Sequence, residues 1–231
     1  MPAPVIVALD VDSAQEAMAL VDKVGPRADA FKIGLQLLTI AGPDIVRDLV
    51  ADGRHVFLDL KLHEIPNSVA GAVRAAGRLG AAMVTVHASA GGAVLRAAVE
   101  AARPFAGLQV LALTVITSLR DEELPEIGLV PDVDEQVARL ASLAARSGCD
   151  GVVASAREAA FLRGLLPAGM AIVCPGIQFA NGPGNDQARV ATPRAAAAAG
   201  ATYIVMGRAI SAATDPARAF EAARAEFEAR D

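Results

Sequence analysis

Short apolar runs recur along the chain, and each is followed by a longer segment whose apolar residues return at helical spacing. The runs cover 5–10 (VIVALD), 30–34 (AFKIG), 55–61 (HVFLDLK), 82–88 (AMVTVHA), 108–114 (LQVLALT), 151–155 (GVVAS), 171–176 (AIVCPG) and 203–207 (YIVMG). The intervening segments predict helices over 13–23, 43–52, 69–79, 93–102, 133–147, 157–165, 193–199 and 216–229. Nearly unbroken Val, Ile, Leu and Ala in the runs predicts strands buried on both faces, as a parallel sheet covered by helices requires. Eight strand–helix units in 231 residues predict an α/β protein folded as a (β/α)8 TIM barrel, a single domain over residues 1–231. A doubly wound open sheet is the alternative. The count of eight favours the barrel, as does the lack of a Gly-x-Gly-x-x-Gly turn after the first strand.

Composition then removes whole classes of function. Hydrophobic residues make up 54% and aromatics only 3%, so the apolar bulk is aliphatic and disorder is excluded. Lys and Arg number 21 against 26 Asp and Glu, a net charge of -5, which lacks the basic excess of a nucleic-acid binder. Mean hydropathy is high at +0.41, yet no apolar run approaches the roughly 20 residues of a membrane-spanning helix. The N-terminal MPAPVIVALDVD has no basic stretch before its apolar segment and does not read as a secretory signal, so a cytoplasmic location is expected. Cys149 and Cys174 have no paired metal-ligand spacing and read as buried free thiols.

In such barrels the chemistry lies at the carboxyl ends of the strands. The polar residues there are Asp10, Lys32, Asp59, Lys61, His87, Thr114, Thr117, Ser118, Ser155 and Arg208, with Gly176 and Gly207 after strands 7 and 8. Asp59 and Lys61 are two positions apart, so regular strand alternation predicts that both project to one face while Leu58 and Leu60 project to the other. Burying a carboxylate and an ammonium together is costly, which makes them functional candidates; a structural ion pair closing the barrel top is the blander alternative. Lys32 adds a second cation in an apolar strand. His55 and His63 have no metal-ligand partners at suitable spacing; His63 and His87 sit where a supporting role near a ligand is open. The run Asp121-Glu122-Glu123 reads as a solvated helix start. The stretch 178–187, with Gly182, Pro183 and Gly184, reads as a candidate closing loop.

The segment FLDLKLHEIPNS (57–68) closely resembles the strand-3 signature of the orotidine 5'-phosphate decarboxylase family, an Asp-x-Lys-x-x-Asp set followed by Ile-Pro-Asn-Thr. The resemblance runs the length of the chain: ALD at 8–10, FKIG at 31–34, VHASAGG at 86–92, Thr117-Ser118, PGI at 175–177, NDQARVATP at 185–193 and VMGRAI at 205–210. It implies a barrel that decarboxylates orotidine 5'-monophosphate to UMP in pyrimidine biosynthesis, with no metal or organic cofactor. By position, Lys61 matches the lysine that protonates C6 as carbon dioxide leaves, and Asp59 the aspartate near the substrate carboxylate. Lys32 matches the lysine that joins the charge network and contacts the ribose, and Asp10 a ribose contact. Ile65, Pro66 and Ser68 fall in the substrate-binding motif, Ser68 keeping a hydroxyl where the family has Thr. Thr117 and Ser118 lie where the family contacts the pyrimidine. Gln187, Gly207 and Arg208 match its phosphate-binding set.

Two positions depart from that pattern. Glu64 stands where the family has a second Asp that reaches the neighbouring subunit's active site; its extra methylene shifts the carboxylate by about 1 Å, a displacement able to cost roughly a hundredfold in rate. The resemblance thereby implies a homodimer. Gln178 follows Pro175-Gly176-Ile177 where many bacterial members have a phosphate-binding Arg. Two other readings stay open: a sugar-phosphate decarboxylase of the same superfamily, such as 3-keto-L-gulonate 6-phosphate decarboxylase, which uses Mg2+, and a nucleotide-binding relative that has lost catalysis. The Ile65-Pro66-Asn67 continuation argues against the first. On the leading reading, an acidic protein must gather cations locally for an anionic nucleotide, and Lys32, Lys61 and Arg208 are where it does so.

Overall fold

The computed structural model describes residues 3–180 and 191–229. Eight parallel strands close a barrel in sequence order: β1 Val5–Ala8, β2 Ala30–Gly34, β3 His55–Leu62, β4 Met83–His87, β5 Gln109–Leu113, β6 Gly151–Val153, β7 Ala171–Cys174 and β8 Tyr203–Met206, the last pairing with β1. Around them lie α1 Ala14–Val24, α2 Leu35–Ala41, α3 Asp44–Ala51, α4 Pro66–Arg78, α5 Gly92–Ala102, α6 Val133–Arg146, α7 Ala156–Leu165, α8 Pro193–Ala198, α9 Arg208–Ser211 and α10 Pro216–Glu228. The predicted (β/α)8 barrel is the observed fold, and the open-sheet alternative falls.

Local chemistry explains the starts of these helices. Ser13 accepts the Glu16 amide at 3.1 Å and opens α1; Asp132 accepts the Glu135 amide at 2.8 Å and opens α6; Asp215 accepts the Arg218 amide at 3.0 Å and opens α10. Pro66, Pro193 and Pro216 occupy first-turn positions, where the missing N–H costs nothing.

Two apolar layers follow from the alternation along the strands. Ile6, Ala8, Phe57, Met83, Leu111, Leu113, Val153, Val173, Tyr203 and Val205 fill the barrel interior. Their neighbours, such as Val7, Ile33, Leu58, Val84, Val110 and Ile172, pack outward against the helices. Strands buried on both faces are the physical reason the runs looked continuous rather than alternating.

Several boundaries differ from expectation. α4 starts at Pro66, three residues ahead of the predicted 69, because proline supplies the first turn. Helices α2 and α9 were not predicted: α2 follows β2 directly, with Gly34 as an uncapped N-cap, and α9 spans only four residues. The acidic run at 121–123 begins a 3-10 helix, Asp121–Ile127, whose Asp121 carboxylate accepts the Val133 amide at 2.8 Å.

Candidate active site

The carboxyl ends of the strands surround a cavity of about 730 Å³. Ala8, Phe57, Leu113, Val153 and Val205, all from the barrel-interior layer, line its apolar part. Asp10, Lys32, Asp59, Lys61, Thr117, Ser118, Gln178, Gly207 and Arg208 supply polar lining. Nine of the expected site residues therefore converge on one space, although they span almost two hundred positions of sequence.

Two ion pairs stand in this lining. The Lys32 ammonium donates to Asp10 Oδ1 at 2.5 Å, and the Lys61 ammonium to Asp59 Oδ2 at 2.6 Å. The Lys32 side chain is 10% exposed, whereas that of Lys61 is 37% exposed, so the first ammonium is held deep in the wall and the second reaches further into the open space. Gly34 makes room for the deeper pair: a Cβ there would lie 3.2 Å from Lys32 Nζ and 3.6 Å from Asp10 Oδ1.

The strand carrying Asp59 and Lys61 is not regular. Its register with β4 shifts between Leu58 and Leu62, and Lys61 has a φ of 48°, the left-handed region that no other described non-glycine residue enters. Such a conformation costs a non-glycine residue about 1 kcal/mol or more. The expectation of simple alternation through Lys61 is therefore corrected. Asp59 and Lys61 do share a wall, but a bulge re-aims the lysine. Leu58 and Leu60 face the helix layer as expected. Thr85 of β4, fully buried, accepts the Lys61 amide at 2.8 Å and donates to Asp59 Oδ1 at 3.0 Å.

His63 and His87 stack at the rim with ring centroids 5.2 Å apart, and His87 Nδ1 lies 2.8 Å from Ser89 Oγ. Burial holds the His87 imidazole below its ordinary value of 6.5, and the charges of His63 and Lys61 push it further the same way. Neutral imidazole is thus the favoured form beside Lys61.

The remaining expected residues lie elsewhere. Glu64, Ile65, Pro66 and Ser68 sit at the start of α4, exposed, and do not line this chain's own cavity. The Ser68 hydroxyl and the Ile65 amide hold the Glu64 carboxyl below the usual carboxylate range. Thr114 commits its hydroxyl to the Val153 carbonyl at 3.0 Å, and Ser155 is fully buried; neither lines the cavity. Gln187 and most of the expected closing loop lie outside the described residues. The Gln178 backbone is fixed beside the cavity by its main-chain N–H, which donates to the Ala191 carbonyl at 3.0 Å. Cys149 and Cys174 are buried thiols, and burial pushes both up to about 12, which disfavours the reactive thiolate.

Sequence reading missed Thr85, Gln36, Ile116, Ile177 and Ser211. Gln36 lines the cavity and its amide donates to Asp12 Oδ1 at 2.7 Å. Gln36 and Ile116 stand just past the ends of β2 and β5, where a wider window at each strand end would have caught them, whereas Thr85 lies inside β4. Among the described residues no group of three His, Cys, Asp or Glu is placed to hold a metal ion, and no helix is long and apolar enough to cross a membrane.

A family model described as "Orotidine 5'-phosphate decarboxylase / HUMPS family" matches residues 3–223. The chain is 49% identical over 227 residues to an orotidine 5'-phosphate decarboxylase of Sodalis glossinidius, covering 97% of this chain and 90% of that one. It is 48% identical over 229 residues to the protein of that name from Halorhodospira halophila, covering 99% and 97%. The crystal structure of orotidine 5'-phosphate decarboxylase from Lactobacillus acidophilus superposes with a TM-score of 0.89 at 35% identity, over 98% of this chain and 100% of that one.

Proposed function

Since the chain belongs to the orotidine 5'-phosphate decarboxylase / HUMPS family, we propose that its barrel mouth converts orotidine 5'-monophosphate to UMP and carbon dioxide, with Lys61 as the proton donor. The C6–carboxylate bond breaks, carbon dioxide leaves, and the electron pair stays on C6. Lys61 stabilises that charge and then transfers a proton from Nζ to C6; a proton from solvent restores the ammonium. A fixed ammonium does this without solvent reorganisation, which is where such sites gain most.

The observation that carries this reading is the Asp59–Lys61 pair at 2.6 Å, with its lysine turned into a 730 Å³ cavity by a strained bulge. Asp59 holds the ammonium in place and stands beside the substrate carboxylate. Asp10 and Lys32 contact the ribose. Thr117 and Ser118 meet the pyrimidine. Gln178, Gly207 and Arg208, from the ends of β7 and β8, take the phosphate, the usual place for one in such barrels; Gln187 joins them. Phosphate binding is remote from C6 and can be used to orient the ring.

The working unit is a homodimer of one-domain protomers in the cytoplasm, in which Glu64, Ile65, Pro66 and Ser68 of one protomer complete the partner's site. Support comes from their exposure and from their position outside their own cavity; Ile65 is 62% exposed. A carboxylate kept ionised at Glu64 suits a role beside the ammonium of Lys61 across such an interface.

Mixing the protein with orotidine 5'-monophosphate and following the fall in its ultraviolet absorbance tests the reaction. Turnover that survives EDTA is the expected result. A folded dimer that binds UMP without releasing carbon dioxide from the substrate would replace this reading with that of a nucleotide-binding relative.

A further inference from the structure

Thr85 joins the two residues on which the reaction depends, and no expectation from sequence included it. The bulge between Leu58 and Leu62 removes Lys61 from the regular ladder with β4, so its amide needs another acceptor. Thr85 Oγ1 is that acceptor at 2.8 Å. The same hydroxyl has one proton to give, and it goes to Asp59 Oδ1 at 3.0 Å. Asp59 Oδ2 receives the Lys61 ammonium at 2.6 Å. One buried hydroxyl thus fixes both the backbone from which Lys61 departs and the carboxylate to which its ammonium returns.

We propose that Thr85 is a positioning residue for decarboxylation, holding the Asp59 carboxylate and the Lys61 bulge in the single arrangement that presents the ammonium to C6. A threonine packed merely as a strand former would have no need to bond both members of an ion pair. Valine has nearly the same shape but neither accepts nor donates, and leaves the part-buried Lys61 amide and one carboxylate oxygen without the hydroxyl. The proposal rests on the decarboxylase reading, and acts through Lys61 and Asp59 rather than by touching substrate.

The test is steady-state kinetics of Thr85→Val and Thr85→Ser beside wild type, with the folded fraction measured by circular dichroism. Thr85→Val is expected to lower kcat about tenfold to a hundredfold, as a small misplacement of catalytic groups does. KM should stay within about threefold, because ground-state binding is not the interaction removed. Thr85→Ser should recover kcat to within about threefold of wild type. Should the valine variant fail to fold, Thr85→Ala measured against Thr85→Ser reads the same hydroxyl. Wild-type kcat per folded molecule in the valine or alanine variant overturns the proposal, as does a serine variant equally impaired. Absence of turnover by wild type would instead overturn the decarboxylase reading itself.

Discussion

The two ends of the barrel use similar polar residues for opposite purposes. At the amino ends of the strands, polar side chains bond to backbone. Arg163 donates to the carbonyls of Met170 and Gly200 at 3.0 Å each, and to Thr202 Oγ1 at 3.2 Å. Thr202 in turn accepts the Ile172 amide, Asp150 accepts the Val110 amide, and Asp29 accepts the Ala3 amide. Arg54 donates to the Ala28 carbonyl at 2.8 Å. At the carboxyl ends, Lys32 pairs with Asp10 and Lys61 with Asp59, side chain to side chain, around a cavity. The first arrangement satisfies groups that folding would otherwise leave unpaired. The second concentrates charge and backbone strain where nothing in the fold requires either, which is how a site built for a ligand differs from a structural network.

If that division is right, mutations at the two ends should separate activity from stability. Lys61→Ala gives the largest effect: a fall in kcat of about a thousandfold or more, the scale of losing a general acid that also stabilises charge. Its melting temperature should fall far less than its activity, since the lysine side chain is 37% exposed and water screens its ion pair with Asp59; kinetics and thermal unfolding on one preparation check both. Arg163→Ala should do the reverse. Two carbonyls and a hydroxyl lose a charged donor, at a cost of about 2 kcal/mol in denaturant unfolding, while turnover per folded molecule stays at the wild-type value. Loss of turnover in folded Arg163→Ala would break the comparison.

The smallest effect concerns His87, which lies at the functional end but pays in stability. Its folded-state value is depressed below the ordinary 6.5, so below that pH the unfolded chain takes up the proton more readily than the native one. Stability is therefore full above the unfolded value and is lost as pH falls through the folded one. Melting temperature measured from neutral pH down to about 5 should decline more steeply in wild type than in His87→Asn. Equal slopes would remove His87 from the electrostatics of the site.

How far the sequence announces all this also differs between regions. The barrel was legible, because strands such as 5–10 and 171–176 are buried on both faces and read as continuous apolar runs. So were Asp10, Lys32, Asp59 and Lys61, since a charge at the end of an apolar run is rarely accidental. The bulge at Lys61 was not legible: period-two reasoning assumes a regular pleat, and a register shift depends on what the neighbouring strand offers. Thr85 was invisible for the same reason, a threonine in VTVH being an ordinary strand former. Helix α2 escaped because Gly34 passes straight from β2 into Leu35 with no capping side chain. Glu64 reads as a motif residue, yet its place outside its own cavity follows from where α4 begins.

The central claim is that Lys61 carries the proton to and from C6, and the reaction's reverse half tests it without any decarboxylation. Incubated with UMP in D2O, the wild-type protein is expected to exchange the C6 hydrogen for deuterium, read by proton NMR, whereas Lys61→Ala, still binding UMP, is expected to leave that hydrogen in place. Exchange at the wild-type rate in Lys61→Ala would contradict the account.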